Sequence, residues 1–185
     1  MASVPRAYRL QVPQGLYHVT ANGSLRRALF ENNSERAEFL NLVAKVVALR
    51  GWSCRSYCLL TTHYHLLVKT PDGDLSAGLR HLNGHYAQWT NWCRGERGHL
   101  FRERFNSVLV ESVSHAFESY RYIAMNPVRA GVVARPEDWR WSSYAALLGL
   151  APAAACLDVG GALRDFHLDE HAARARLASF VNDAL

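Results

Sequence analysis

Long apolar runs are missing from this chain of 185 residues. The stretch after Met1, Ala2-Ser3-Val4-Pro5-Arg6, has no apolar core of the length a secretory signal needs. No later segment approaches the roughly 20 consecutive apolar residues of a membrane-spanning helix. Cysteine is scarce: Cys54, Cys58, Cys93 and Cys156 are the four, too few for a disulfide scaffold. These absences predict a cytoplasmic protein with reduced thiols and no membrane partner. A Gly-x-x-x-x-Gly-Lys loop is also absent, so a phosphate-cradling site for a nucleotide cofactor is not expected. Internal repeats and low-complexity blocks are lacking as well.

What is present is a globular composition, 49% hydrophobic with a formal charge of +5. The length suits one domain with a true core and a short appendage. A pI near 9.2 favours an anionic partner, of which nucleic acid is the commonest.

The most informative stretch is Leu59-Leu60-Thr61-Thr62-His63-Tyr64-His65-Leu66-Leu67-Val68. Its leucines and valine, closed by the turn residues Pro71-Asp72-Gly73-Asp74, predict a strand. Alternate side chains of a strand share a face, so His63 and His65 point the same way, about 7 Å apart along the backbone. Tyr64, Leu66 and Val68 then face a core. Two converging imidazoles can share one metal ion; two histidines hydrogen-bonded to neighbours is the plainer alternative. Cys54 and Cys58 cannot both ligate one ion without a bend, because four residues of extended strand span about 13 Å. They are expected to be buried thiols.

Other elements fall into order around this strand. Leu16 to Ala21 alternates as a first strand. Arg26 and Arg27 follow its exit, where they either clamp phosphate or form a solvated charge pair. Asn32 or Asn33 caps a helix whose stripe is Phe39, Leu42, Val43, Val46 and Val47, and Gly51 ends it. Trp52 to Leu60 predicts a second strand. A break near Thr61-Thr62 makes it a hairpin with the histidine strand; one longer bent strand is the alternative. Asp74 or Ser76 caps a second helix with the stripe Leu75, Leu79, Leu82, Tyr86, Trp89 and Cys93. Phe105 to Val110 is a fourth strand, entered through Arg102 and Arg104.

The resulting order, β-α-β-β-α-β, predicts an α+β fold: a ferredoxin-like split βαβ antiparallel sheet with two helices on one face. An additional helix follows from about Ser112 to Met125, interrupted at Pro127. Asn126 caps a further turn there, and Gly131 stops it. The domain is expected to occupy residues 1–149. A C-terminal helical tail fills 150–185, with a helix from Asp169 to Val181. Only its place in the chain argues that the tail lies beside the additional helix or over it.

On that additional helix Tyr122 and Asn126 are four residues apart and share a face. Tyr122 is otherwise a core tyrosine, and Asn126 otherwise a cap. Beside a His-x-His strand, however, two imidazoles and an amide oxygen make three donors with open positions for a substrate phosphate. A phenol next to them is a candidate nucleophile, needing activation because its free pKa is about 10. Tyr120 lacks an amide partner one turn on and is the weaker candidate.

The motifs in series resemble a known family. They are His63-Tyr64-His65-Leu66-Leu67-Val68, then Gly98-His99-Leu100-Phe101-x-x-Arg104-Phe105. After these come Tyr122-Ile123-x-x-Asn126-Pro127-Val128-Arg129-Ala130-Gly131-Val132-Val133 and Trp139-x-Trp141-Ser142-Ser143-Tyr144. From about Gly15 to Gly149 the chain resembles the REP-associated tyrosine transposases, a group of the single-tyrosine HUH transposases.

The resemblance implies a nucleoid-associated enzyme, monomer or homodimer, that nicks and rejoins single-stranded DNA at hairpin-forming palindromic repeats. It implies Tyr122 as nucleophile and a 5′-phosphotyrosine intermediate. It places a divalent metal, Mg2+ or Mn2+, on His63, His65 and Asn126. Arg26, Arg27, Arg102, Arg104, Arg121 and Arg129 are the candidate DNA contacts, or else a solvated basic face. Two departures stand out. Relatives commonly carry Pro-Asn where this chain has Thr61-Thr62, and many carry histidine at the position of Ala124.

Three other functions remain to be separated from this one. A catalytically retired relative would bind the DNA hairpin without cutting it. An RNA-recognition module of the same topology would expose aromatic residues on the central strands, where this chain has His63 and His65. A zinc hydrolase would use a metal-bound water and would not need Tyr122.

Overall fold

The structure, a computed structural model, describes residues 12–24 and 27–183. Strict alternation of buried and half-buried residues runs along β1 (Gly15–Asn22), the signature of a strand sealed on one face. β1 pairs antiparallel with β3 (His63–Thr70) over its whole length, from Gly15 opposite Thr70 to Asn22 opposite His63. β4 (Asn106–Leu109) flanks β1 on its other side, and β2 (Ser53–Leu59) flanks β3. The sheet order is β2-β3-β1-β4, antiparallel throughout. With α1 (Asn33–Arg50) and α2 (Leu75–Arg94) joining the strands, this is the expected ferredoxin-like arrangement.

The stretch from Leu59 to Val68 is a hairpin rather than one strand. β2 stops at Leu59, the backbone N–H of Leu60 donates to the His63 carbonyl at 2.9 Å, and Thr61-Thr62 forms the tip. In β2 the register shifts between Cys54 and Ser56. That bulge sends Cys54 into the core under α1 and α2, and Cys58 into the core on the opposite face. The two buried thiols thus lie on different sides of the sheet.

α1 and α2 cover one face. Tyr17, Val19, Ala21, Tyr64, Leu66 and Val68 meet Phe39, Val43, Leu79, Leu82 and Tyr86 there. The Phe39 ring lies 4.7 Å from that of Tyr64 and 5.0 Å from that of Tyr86, centroid to centroid. Asn32 caps α1 through the Glu35 N–H, and Gly51 at φ 62° closes it. Asp74 occupies the N-cap position of α2 but makes no side-chain cap bond. Its carboxylate instead accepts from Trp52 Nε1 at 2.7 Å and Arg50 at 3.0 Å. Cys93, expected on the α2 stripe, is exposed, and Thr90 takes the buried place. Glu35 joins the two helices by a two-pronged ion pair to Arg94, at 2.8 and 2.7 Å.

The other face is covered by α3 (Val113–Arg129). Ser112 caps it, accepting from the His115 N–H. The expected interruption at Pro127 does not occur: the helix runs through the proline to Arg129. Proline removes one N–H near the helix end, and the turns after it are closed by Ala130 N–H to Asn126, Gly131 to Val128 and Val132 to Pro127. Gly131 at φ 68° makes that left-handed closure possible. Asn126 is therefore a residue inside the helix and not a cap, on the same face as Tyr122.

The segment after α3 seals the free edge of β2. Leu59 N–H donates to Trp141 O, Ser143 N–H donates to Tyr57 O, and Trp139 Nε1 donates to Leu59 O. An edge strand covered this way is closed to further pairing. α4 (Tyr144–Leu147), α5 (Val159–Arg164) and α6 (Glu170–Asn182) complete the second core. Phe117 stacks on Phe166 at 4.4 Å, and the Tyr120 hydroxyl donates to Asp165 at 2.7 Å. The chain beyond Pro152 thus packs beside α3, with Leu67, Cys58, Ile123, Leu177 and Val181 between them. Among the described residues no helix is long and apolar enough to cross a membrane.

Candidate nucleic-acid active site

β3 supplies His63 and His65 to the α3 face, and β1 supplies His18 and Thr20 beside them. α3 lays Asn126 and Tyr122 over the group. The Asn126 amide spans the two histidines, with Oδ1 at 3.0 Å from His63 Nε2 and Nδ2 at 3.1 Å from His65 Nε2. An amide N–H only donates, so His65 Nε2 accepts and its proton sits on Nδ1. That proton has two takers, His18 Nε2 and Thr20 Oγ1, each 3.0 Å away. Thr62 Oγ1 stands 3.0 Å from His63 Nδ1.

Burial sets the charge of this cluster. It pushes His65 down to about 2, with His18 and His63 adding to the effect. His18 is pushed down to about 4 by burial and then by His115. His63 is lowered by burial, against which its bond to Asn126 works. Burial thus favours the neutral form of all three rings, and because an amide oxygen only accepts, His63 donates its Nε2 proton to Asn126 Oδ1.

Tyr122 lies edge-on to His65 and His18, with ring centroids 5.3 and 5.5 Å away. It is 42% exposed, so it is not a core tyrosine. The Arg129 guanidinium carbon is 5.1 Å from its ring centroid. Tyr120, two residues earlier, is 1% exposed, and burial raises its hydroxyl well above the ordinary tyrosine range. A cavity of about 420 Å³ opens at Tyr122, lined also by His18, His65, Arg104 and Asn106.

The arginines divide. Arg104 and Arg129 border Tyr122. Arg102 is exposed and paired with Glu103 at 3.1 Å. Arg27 turns inward to Asn91 and Glu96, so its guanidinium is engaged by protein. Arg121 pairs with Glu118 and stacks over Phe180, on the side of α3 that meets α6. Arg26 lies outside the described residues.

The motif pattern did not disclose His18 or Thr20. Their spacing repeats the alternation of His63 and His65, but only the β1–β3 register brings Thr20 opposite His65. Trp139 and Trp141 do not stack outward: both indole N–H groups bond protein oxygens.

Among the described residues no group of three or more His, Cys, Asp or Glu side chains is placed to hold a metal ion. The groups that do converge are two neutral imidazole nitrogens and one amide oxygen, a set that suits Mn2+ or Mg2+ with open positions for substrate. The residues therefore fit a divalent ion in donor type, with His63 shifting its Nε2 proton to Nδ1, beside Thr62, to free the nitrogen that faces Asn126.

A solved structure of a REP-associated tyrosine transposase bound to a REP hairpin shares the fold, with a TM-score of 0.67 and 22% identity. The match covers 84% of this chain and 93% of that one. A second solved structure, titled a transposase from Deinococcus radiodurans R1, matches at a TM-score of 0.44 and 13% identity over 71% of this chain and 97% of that one. A search of curated proteins returned no match. The histidine strand facing a helix with tyrosine and asparagine, on this sheet, is an HUH-type transposase fold. The model of the IS200-like transposases matches residues 11–126, more than half of the chain, and the protein belongs to that family.

Proposed function

We propose that this transposase nicks and rejoins single-stranded DNA at hairpin-forming repetitive palindromes, with Tyr122 as nucleophile. The observation that carries the reading is the meeting of Tyr122 with the His63–Asn126–His65 bridge at an open cavity. Tyr122 Oη attacks a DNA phosphorus. The phenol proton is released, a 5′-phosphotyrosine ester forms, and the 3′-oxygen leaves and takes up a proton. A DNA 3′-hydroxyl reverses the exchange and frees the tyrosine. Bond energy is conserved in the ester, so no nucleotide is consumed.

His63, His65 and Asn126 would hold the divalent ion, Mg2+ or Mn2+. When bound, it polarises the phosphoryl oxygen and stabilises the charge that develops there. Thr20 and His18 orient His65 through its Nδ1 proton, as partners of ligating histidines do. Arg104 and Arg129 attract the DNA phosphates. The REP hairpin bound by the structural relative supports folded single-stranded DNA as substrate.

A retired binder is the outcome to expect if the departures at Thr62 and Ala124 removed groups the chemistry needs. Ala124 is 3% exposed within the second core, so this departure lies off the histidine cluster. Thr62 still bonds His63. Both observations favour a working enzyme.

The test incubates the protein with end-labelled hairpins carrying single-stranded flanks, with Mn2+. A denaturant-resistant protein–DNA adduct is expected and should vanish in Tyr122→Phe, a loss of more than ~10³-fold. Shifted but uncut DNA with no adduct means a retired binder. Cleavage that survives Tyr122→Phe means a metal-activated water.

A further inference from the structure

We propose that the cavity between α2 and the segment 98–105 receives one unstacked base of the same DNA strand. The proposal rests on the reading of the Tyr122 site as a single-strand DNA site. The cavity, about 590 Å³, is of a size that takes small organic ligands. It adjoins the Tyr122 cavity across a common wall, because Glu103, Arg104 and Phe105 line both. A strand whose phosphate lies at Tyr122 reaches it by crossing this wall at Arg104.

The lining suits a base. Leu79, Leu100 and Phe105 are buried and give an apolar floor. Phe101 is half-buried and offers a ring, and base–aromatic stacking tolerates any sequence because every base has a π-face. The Tyr64 hydroxyl donates to Asn83 Oδ1 at 2.8 Å. This fixes the amide and leaves its N–H groups for an acceptor on a base edge. Arg80 and Arg104, both exposed, stand at the rim for the flanking phosphates. Glu103, paired with Arg102, biases the backbone path towards these two. In the α2 wall, Gly84 has no atom within 4 Å of where a Cβ would stand. The helix is open at its middle, so a larger residue there is accommodated without a clash and adds bulk to the cavity wall.

The test uses the full chain and a dye-labelled hairpin with a single-stranded flank, read by fluorescence anisotropy. Each flank position is made abasic in turn. One position is expected to weaken binding by about tenfold. In Gly84→Leu, intact DNA should bind about tenfold more weakly and that position should lose its effect, with no lower melting temperature, since leucine favours helix over glycine. A 5-iodouracil at the sensitive position should cross-link to a peptide containing Phe101 or Phe105 in the unaltered protein, a readout independent of any variant's folding. No sensitive position, retained sensitivity in folded Gly84→Leu, or a cross-link elsewhere would each overturn the proposal. Base sensitivity without a Tyr122 adduct upholds the base site and sinks the catalytic reading; an adduct without base sensitivity does the reverse.

Discussion

On the α1–α2 face of the sheet, Tyr17, Val19, Tyr64, Leu66 and Val68 are all sealed under helices. On the α3 face the same alternation sets apolar and polar residues side by side, Leu67 opposite His18 and Cys58 opposite His65, with Thr20 and His63 beside them. The first face is held by area removed from water. The second holds neutral imidazoles in place only because each polar atom finds a partner on β1 or α3. One face is therefore a foundation and the other is chemistry, on strands one peptide unit out of phase.

The largest effect should come from the foundation. Phe39→Ala removes a buried ring from the Tyr64–Tyr86 cluster and should cost about 3–5 kcal/mol, measured by urea unfolding. A loss below about 1 kcal/mol would break the comparison, since the helices would then not depend on that face.

Asn126→Ala should leave the fold cooperative but lower adduct formation by about 10–100-fold, as loss of groups that hold a metal site typically does. Mn2+ affinity, followed by calorimetry, should fall in parallel. Unchanged affinity would remove Asn126 from the donor set.

The two faces should also titrate apart. His18 and His65 have folded values below the ordinary 6.5, at about 4 and about 2. Between those limits the unfolded chain binds more protons, so stability is full above about pH 6.5 and is lost as pH falls. Glu35 keeps its carboxyl below the ordinary 4.5: burial would raise it, but the bonds from Arg94 and the α1 N-terminus outweigh burial. Its contribution is present above pH 4.5 and lost only below it. In chelator-containing buffer the melting temperature should therefore drop between pH 6.5 and 5, and His18→Gln should flatten that drop. A profile level down to pH 5 would contradict the neutral, buried histidines.

The smallest effects concern the arginines. Arg104→Gln and Arg129→Gln should each weaken hairpin binding several-fold, with the salt slope reduced by about 1. Arg121→Gln, whose partners are Glu118 and Phe180, should leave DNA affinity unchanged. Equal losses from all three would mean that α3 meets DNA on both sides.

Element order, the two helix stripes and the shared face of His63 and His65 were legible because period 2 and period 3.6 are written locally. Tyr122 and Asn126 were legible as a pair for the same reason, four residues apart on one helix. Proline at position 127 misled, because its local preference against helix is outweighed when packing and the Gly131 closure complete the last turn. The inward turn of Arg27 and the stacking of Arg121 on Phe180 were hidden too, since their partners lie 69 and 59 residues away in the chain.

By itself, then, the sequence determined the strands, the helices and which side chains of each element point together. Those properties follow from backbone geometry within a few residues. Only the tertiary structure decided that Thr20 lies opposite His65, that His18 joins the cluster, and that α3 lowers its amide between two imidazoles from another element. Register and packing are set by the lowest free energy of the whole chain, and no local stretch carries that information.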